Sequence, residues 1–204
     1  MNYHLYDGDL PDDYDAGTAI AIDTETLGLN PHRDRLCLVQ MSRGDGSADL
    51  VQIRRGQTRA PNLEAILTNP AITKLFHFGR FDIAMLEKTF GVVTTPVYCT
   101  KIASRLARTS TDRHGLKDLC RELLGVDLSK QQQSSDWGAE KLSDAQIAYA
   151  ASDVLHLHAL REKLDGLLKR EQRQDIAQAC FDFLPMRAHL DLAGWPDIDI
   201  FAHS

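Results

Sequence analysis

Apolar residues fall into short runs in the first half of the chain and into helical spacing in the second. Thr18-Ala19-Ile20-Ala21-Ile22-Asp23 and Leu36-Cys37-Leu38-Val39-Gln40-Met41 each read as a strand. Gly44-Asp45-Gly46 marks a turn, and residues 48–53 follow as a third strand, so the opening predicts an antiparallel meander. Residues 62–67 predict a short helix with Pro61 just ahead of it. Residues 72–76 form a fourth predicted strand. A helix over 81–90 follows, with Ile83, Leu86 and Phe90 on one face and Gly91 at its end. A short fifth strand (97–99), a helix (100–107) and a helix closed by Gly125 (114–124) come next. Residues 126–142 are polar and irregular. Ser143-Asp144-Ala145-Gln146 fits a capping box and opens a long helix running to about residue 168. Further helix follows, with Pro185 as a break or kink. Strands first, then mixed elements, then mostly helix predict an α/β layered domain with a mixed sheet.

Composition narrows the class. The chain has 204 residues, enough for one sizeable domain, and no repeat or linker-like stretch divides it. The N-terminus lacks a basic start followed by an apolar core, so it does not read as a secretory signal. No apolar run approaches the roughly 18 residues of a membrane helix. Cys37, Cys99, Cys120 and Cys180 are scattered with no CxxC pair, which argues against a zinc site or disulfide framework and for reduced thiols in a cytoplasmic protein. The net charge of −6 speaks against a tight duplex binder. It does not exclude a nuclease, because a carboxylate cluster that holds cations is negative only in the sequence.

Three places concentrate chemistry. Asp23 and Glu25 lie two apart at the end of a predicted strand, so both carboxylates point to one face. Acids at the end of a buried strand need neutralising, and a hard cation such as Mg²⁺ or Mn²⁺ would do it. The plain alternative is two solvated acids in a loop. Asp82 lies near the start of a helix, where a simple cap is the default. Tyr149 and Asp153 are four apart inside a helix and share a face. Alone, that pair also fits an exposed acid beside a packing aromatic.

Together, the three elements resemble the exonuclease motifs of the DEDD superfamily, in its DEDDy branch, and most closely the ribonuclease D family. The first motif reads Asp23-Thr24-Glu25-Thr26-Leu27-Gly28-Leu29, the second Leu75-Phe76-His77-Phe78-Gly79-Arg80-Phe81-Asp82, the third Tyr149-Ala150-Ala151-Ser152-Asp153-Val154. Residues 35–40 and the segment from Leu128 to Asp136-Trp137 fit the same family. The resemblance spans roughly residues 18–168, leaving 170–204 as a helical extension of the same domain.

The resemblance implies the RNase H-like (DnaQ-like) 3′-5′ exonuclease fold, a mixed central sheet with helices on both faces. It implies hydrolysis of single-stranded RNA from the 3′ end to nucleoside 5′-monophosphates, with DNA as the alternative substrate and an inactive binding module as the competing class. It implies two divalent cations, Mg²⁺ or Mn²⁺, held by Asp23, Glu25, Asp82 and Asp153, with Tyr149 orienting the attacking water. Substrate contacts are expected from Thr24, Leu29, His77, Phe81, Lys130 and Gln133. Leu29 and Phe81 would pack against bases, or else belong to the core. His77 would meet sugar or phosphate, or else be a structural histidine. Arg105, Arg108, Arg113, His114 and Lys117 form the most basic stretch, either a backbone track or a solvated face. In one place the chain departs from the family. After Asp136-Trp137 the family usually continues to Arg-Pro-Leu, and here the chain reads Gly138-Ala139-Glu140-Lys141-Leu142. Larger members carry helical RNA-binding domains after the exonuclease domain. Without them, lower processivity, lower selectivity or dependence on a partner is expected.

Overall fold

The computed structural model describes residues 2–128 and 135–203. Its centre is a six-stranded mixed sheet with the order β1-β4-β3-β2-β5-β6. The strands are β1 (Asn2–Asp7), β2 (Ala19–Thr26), β3 (Leu36–Ser42), β4 (Ser47–Gln52), β5 (Thr73–Phe76) and β6 (Val97–Cys99). The pairs β2–β3 and β3–β4 are antiparallel, as the meander predicted, while β2–β5 and β5–β6 are parallel. The helices are α1 (Pro61–Thr68), α2 (Arg80–Phe90), α3 (Thr100–Ala107), α4 (Leu116–Leu119), α5 (Asp144–Val154), α6 (Leu157–Arg170) and α7 (Gln174–Leu192). Every residue of β3 is buried. A strand buried on both faces needs a layer on each side. α2 and α5 pack on β2 and β3, and α6 packs on β2 and β5.

Four features differ from the pattern reading. β1 was not legible. It is an edge strand that pairs in parallel with β4 and leaves most of its side chains partly or fully exposed, so it carries no apolar run. The helix predicted over 114–124 begins at Leu116, and its second half is a π-helical turn, Cys120–Leu124. The long helix after Ser143 is two helices. The capping box is present, but the chain turns at Leu155 and His156. The turn lets α5 cover β2, β3 and β4 while α6 reaches α3 and β5, which one straight rod could not do. Pro185 does not break α7. The helix is unbroken through it, and its packing against α2, α3, α6 and β6 offsets the lost hydrogen bond. No helix among the described residues is long and apolar enough to cross a membrane.

Candidate active site

β2 delivers two carboxylates to one point. Asp23 and Glu25 sit on the same strand face, and α5 brings Asp153 against them from its last turn. One carboxylate oxygen from each of the three lies within 4.8 Å of the other two. No arginine or lysine among the described residues forms an ion pair with Asp23 or Glu25. Burial, followed by the charges of Asp82, Asp153 and Glu25, pushes Asp23 well above the ordinary carboxylate range. Burial and the charges of Asp153 and Asp82 push Glu25 up to about 8. A cation joining such acids favours their ionised form. An all-oxygen donor set of this kind suits a hard divalent cation.

Asp82 completes the set from another direction. It stands in the first turn of α2, is only 6% exposed, and accepts a 2.6 Å hydrogen bond from the Thr24 hydroxyl. Burial raises it to about 6, and the Thr24 hydrogen bond pulls the other way. Its carboxylate lies outside the tight group of three, although its charge is felt by Asp23. Gly79, just before α2, lets the chain approach this closely, since a Cβ there would lie 2.5 Å from that of Phe76. Gln40, wholly buried on β3, points its amide at Asp23 over 3.4 Å. A glutamine inside an otherwise apolar strand run was a legible signal for a positioning group, and the sequence reading assigned it no role.

The group that shares a face with Asp153 is Tyr149. Burial first, and then the Asp153, Glu25 and Asp23 charges, raise its phenol further above its ordinary value. It therefore stays protonated and can donate a hydrogen bond. Its ring lies 6.1 Å from that of Trp137, which is buried. The departing segment after Trp137 is held by Arg35 and Gln52, whose side chains donate to the carbonyls of Gly138 and of Ala139 and Glu140.

A cleft of about 330 Å³ opens over the carboxylates. Asp23, Thr24, Glu25, Tyr149, Asp153, Leu29 and His77 line it, together with Leu116, Lys117 and Leu128. Leu29 is 85% exposed, an unusual position for a leucine in a cleft wall. Phe81 is half-buried against the core and lines no part of the cleft. Lys130 and Gln133 lie outside the described residues. The basic stretch splits. Arg108 and Arg113 both pair with Glu122, and His114 is hydrogen-bonded to Ser104, whereas Lys117 reaches the cleft wall.

Comparison with known proteins agrees with this geometry. A family model described as a 3′-5′ exonuclease matches residues 9–169. The chain belongs to the 3′-5′ exonuclease family. It is 38% identical to the ribonuclease D of Acidiphilium cryptum over 156 residues, 76% of this chain and 39% of that protein. The chain thus spans about two-fifths of the length of the curated relatives it matches. The structure of Brucella melitensis NrnC with bound Mg²⁺ is 59% identical, with a TM-score of 0.96 and full coverage of both chains. The same Brucella melitensis protein bound to pGG is 60% identical, again with full coverage of both chains and a TM-score of 0.96. The fold is accordingly that of the DEDD exonucleases, the RNase H-like architecture, as the motifs implied.

Proposed function

We propose that this protein is a metal-dependent 3′-5′ exoribonuclease that hydrolyses single-stranded RNA ends to nucleoside 5′-monophosphates, in RNA processing or degradation. The observation that carries the reading is the convergence of Asp23, Glu25 and Asp153 within 4.8 Å, with no basic side chain paired to Asp23 or Glu25 among the described residues. The family and the ribonuclease D relatives support the reaction class. The Brucella melitensis neighbour bound to pGG supports short 5′-phosphorylated oligoribonucleotides as substrates.

Asp23, Glu25 and Asp153 would hold one divalent cation, and Asp23 with Asp82 a second, Mg²⁺ or Mn²⁺. Bound there, the cations would neutralise the acids, acidify the attacking water and offset charge on the leaving oxygen. The Tyr149 phenol orients the water by hydrogen bonding. Thr24 fixes Asp82 by the 2.6 Å bond, and Gln40 fixes Asp23. Leu29 packs against a base, a contact that tolerates any sequence. Lys117 meets a phosphate. Residues 1–204 act as one catalytic domain. The free thiols at Cys37, Cys99, Cys120 and Cys180 suit a reducing cytoplasm.

The test is a gel assay on 5′-labelled single-stranded RNA and its DNA counterpart with Mg²⁺, Mn²⁺ or EDTA. A metal-dependent ladder shortening from the 3′ end, faster on RNA and absent in Asp153→Asn, is expected. Uncut strands under every metal would overturn the reading.

A further inference from the structure

We propose that His77 is a fixed hydrogen-bond acceptor that reads a ribose hydroxyl of the 3′-terminal nucleotide, and that Thr100 is the positioning residue that makes it one. The inference rests on the exoribonuclease reading above and assigns the recognition of the sugar within that site.

The argument follows a single proton. The Thr100 hydroxyl donates to the Phe76 carbonyl over 3.2 Å, and a carbonyl oxygen can only accept. A threonine hydroxyl has one hydrogen, so toward anything else it is an acceptor. His77 Nδ1 lies 2.9 Å from that same oxygen. With that one hydrogen placed on the Phe76 carbonyl, Nδ1 carries the proton and donates, and this is the tautomer we assign. In a neutral imidazole the other nitrogen is then bare. Burial, with the Lys101 charge as the second cause, lowers His77 to about 3, so the ring is neutral at working pH. Among the described residues no hydrogen bond is recorded to Nε2, and it is not sealed in the core without a partner. His77 lines the same cleft as the carboxylates.

A bare imidazole nitrogen needs a donor. Phosphate oxygens carry no proton to give at neutral pH, so His77 is not a phosphate contact. The remaining donors on a nucleotide are the amines and ring N–H groups of the bases and the sugar hydroxyls. Base amines and ring N–H groups differ from base to base, so a single fixed acceptor cannot meet one on every nucleotide, and Leu29, Leu116 and Leu128 give the cleft apolar surface that does not distinguish bases. The hydroxyls are the donors that every ribonucleotide shares. A site built to accept from a hydroxyl rejects the analogue lacking it, because its own polar atom is left unpaired.

The test uses three oligonucleotides that differ only in the last sugar: ribose, 2′-deoxyribose or 3′-deoxyribose. Each is cut by wild type, His77→Phe and Thr100→Val, with melting temperatures recorded beside the kinetics. Wild type is expected to lose about tenfold or more in kcat/KM on one of the two deoxy ends. Which end loses names the hydroxyl. In His77→Phe the ribose-to-deoxy ratio should fall toward one. In Thr100→Val, where Nδ1 loses its acceptor and the proton is free to move to Nε2, it should fall part of the way. A merely structural histidine would lower all rates together and leave the ratio alone. Equal cutting of all three ends by wild type overturns the assignment without any variant, as does an unchanged ratio in a folded His77→Phe. Failure of wild type to cut even the ribose end overturns the exonuclease reading itself, and this assignment with it.

Discussion

Two sets of buried acids in this molecule are treated in opposite ways. Asp191, in the last turn of α7 and 7% exposed, receives Arg80 through bonds of 2.6 and 2.7 Å and Arg187 through one of 2.9 Å. Both arginines also donate to the Pro196 carbonyl, clasping the C-terminal segment. Asp49 on β4 likewise accepts from Tyr14 and meets His4. At the cleft, the charges that act on Asp23 and Glu25 among the described residues are those of fellow acids, Asp82 and Asp153 foremost, and both are pushed toward their neutral forms. The difference bears on what each acid is for. A carboxylate given its cation by the chain locks structure. A carboxylate denied one is destabilising unless something from outside supplies the charge.

The sharpest way to break the comparison is Asp23→Asn. If the cluster exists for metal, kcat/KM should fall by about 10³-fold, while the metal-free protein gains about 2–4 °C in melting temperature because repulsion is relieved. A structural acid would show a fall in melting temperature instead. Asp191→Ala should do the reverse. It should cost about 2–3 kcal/mol in denaturant unfolding, since two partly buried guanidinium groups lose their partner. Tyr149→Phe sharpens the picture at the cleft, with kcat reduced by about 10- to 100-fold, KM nearly unchanged and the fold intact.

The smallest effect is on pH dependence. Glu25 is held at about 8 in the folded protein against its ordinary 4.5. Between those values the folded state keeps a proton that the unfolded state has lost. Stability of the metal-free protein should therefore fall as pH rises through that window. Saturating Mn²⁺ should flatten the slope, which a denaturant series from pH 5 to 8.5 would measure.

Much of this was legible in the chain, for physical reasons. The period-two rule placed Asp23 and Glu25 on one face, and the helical period did the same for Tyr149 and Asp153. The turn between α5 and α6 left no trace, because apolar spacing continues across Leu155 and His156. β1 was hidden because an edge strand buries too little to leave a pattern. The Arg80–Asp191 clasp joins residues 111 apart, and the His77–Thr100 bond joins residues 23 apart. No local period reports such contacts. What the sequence lacked was the third dimension around each acid, which is what separates Asp191 from Asp23.

The most direct test of the central claim is calorimetric titration of Mn²⁺ into the metal-free protein near pH 7.5, repeated in buffers of different ionisation enthalpy. The account predicts saturable binding with release of protons, since metal must displace the proton that Glu25 holds, and loss of that binding in Asp23→Asn. Absence of saturable binding, or binding unchanged in Asp23→Asn, would contradict it.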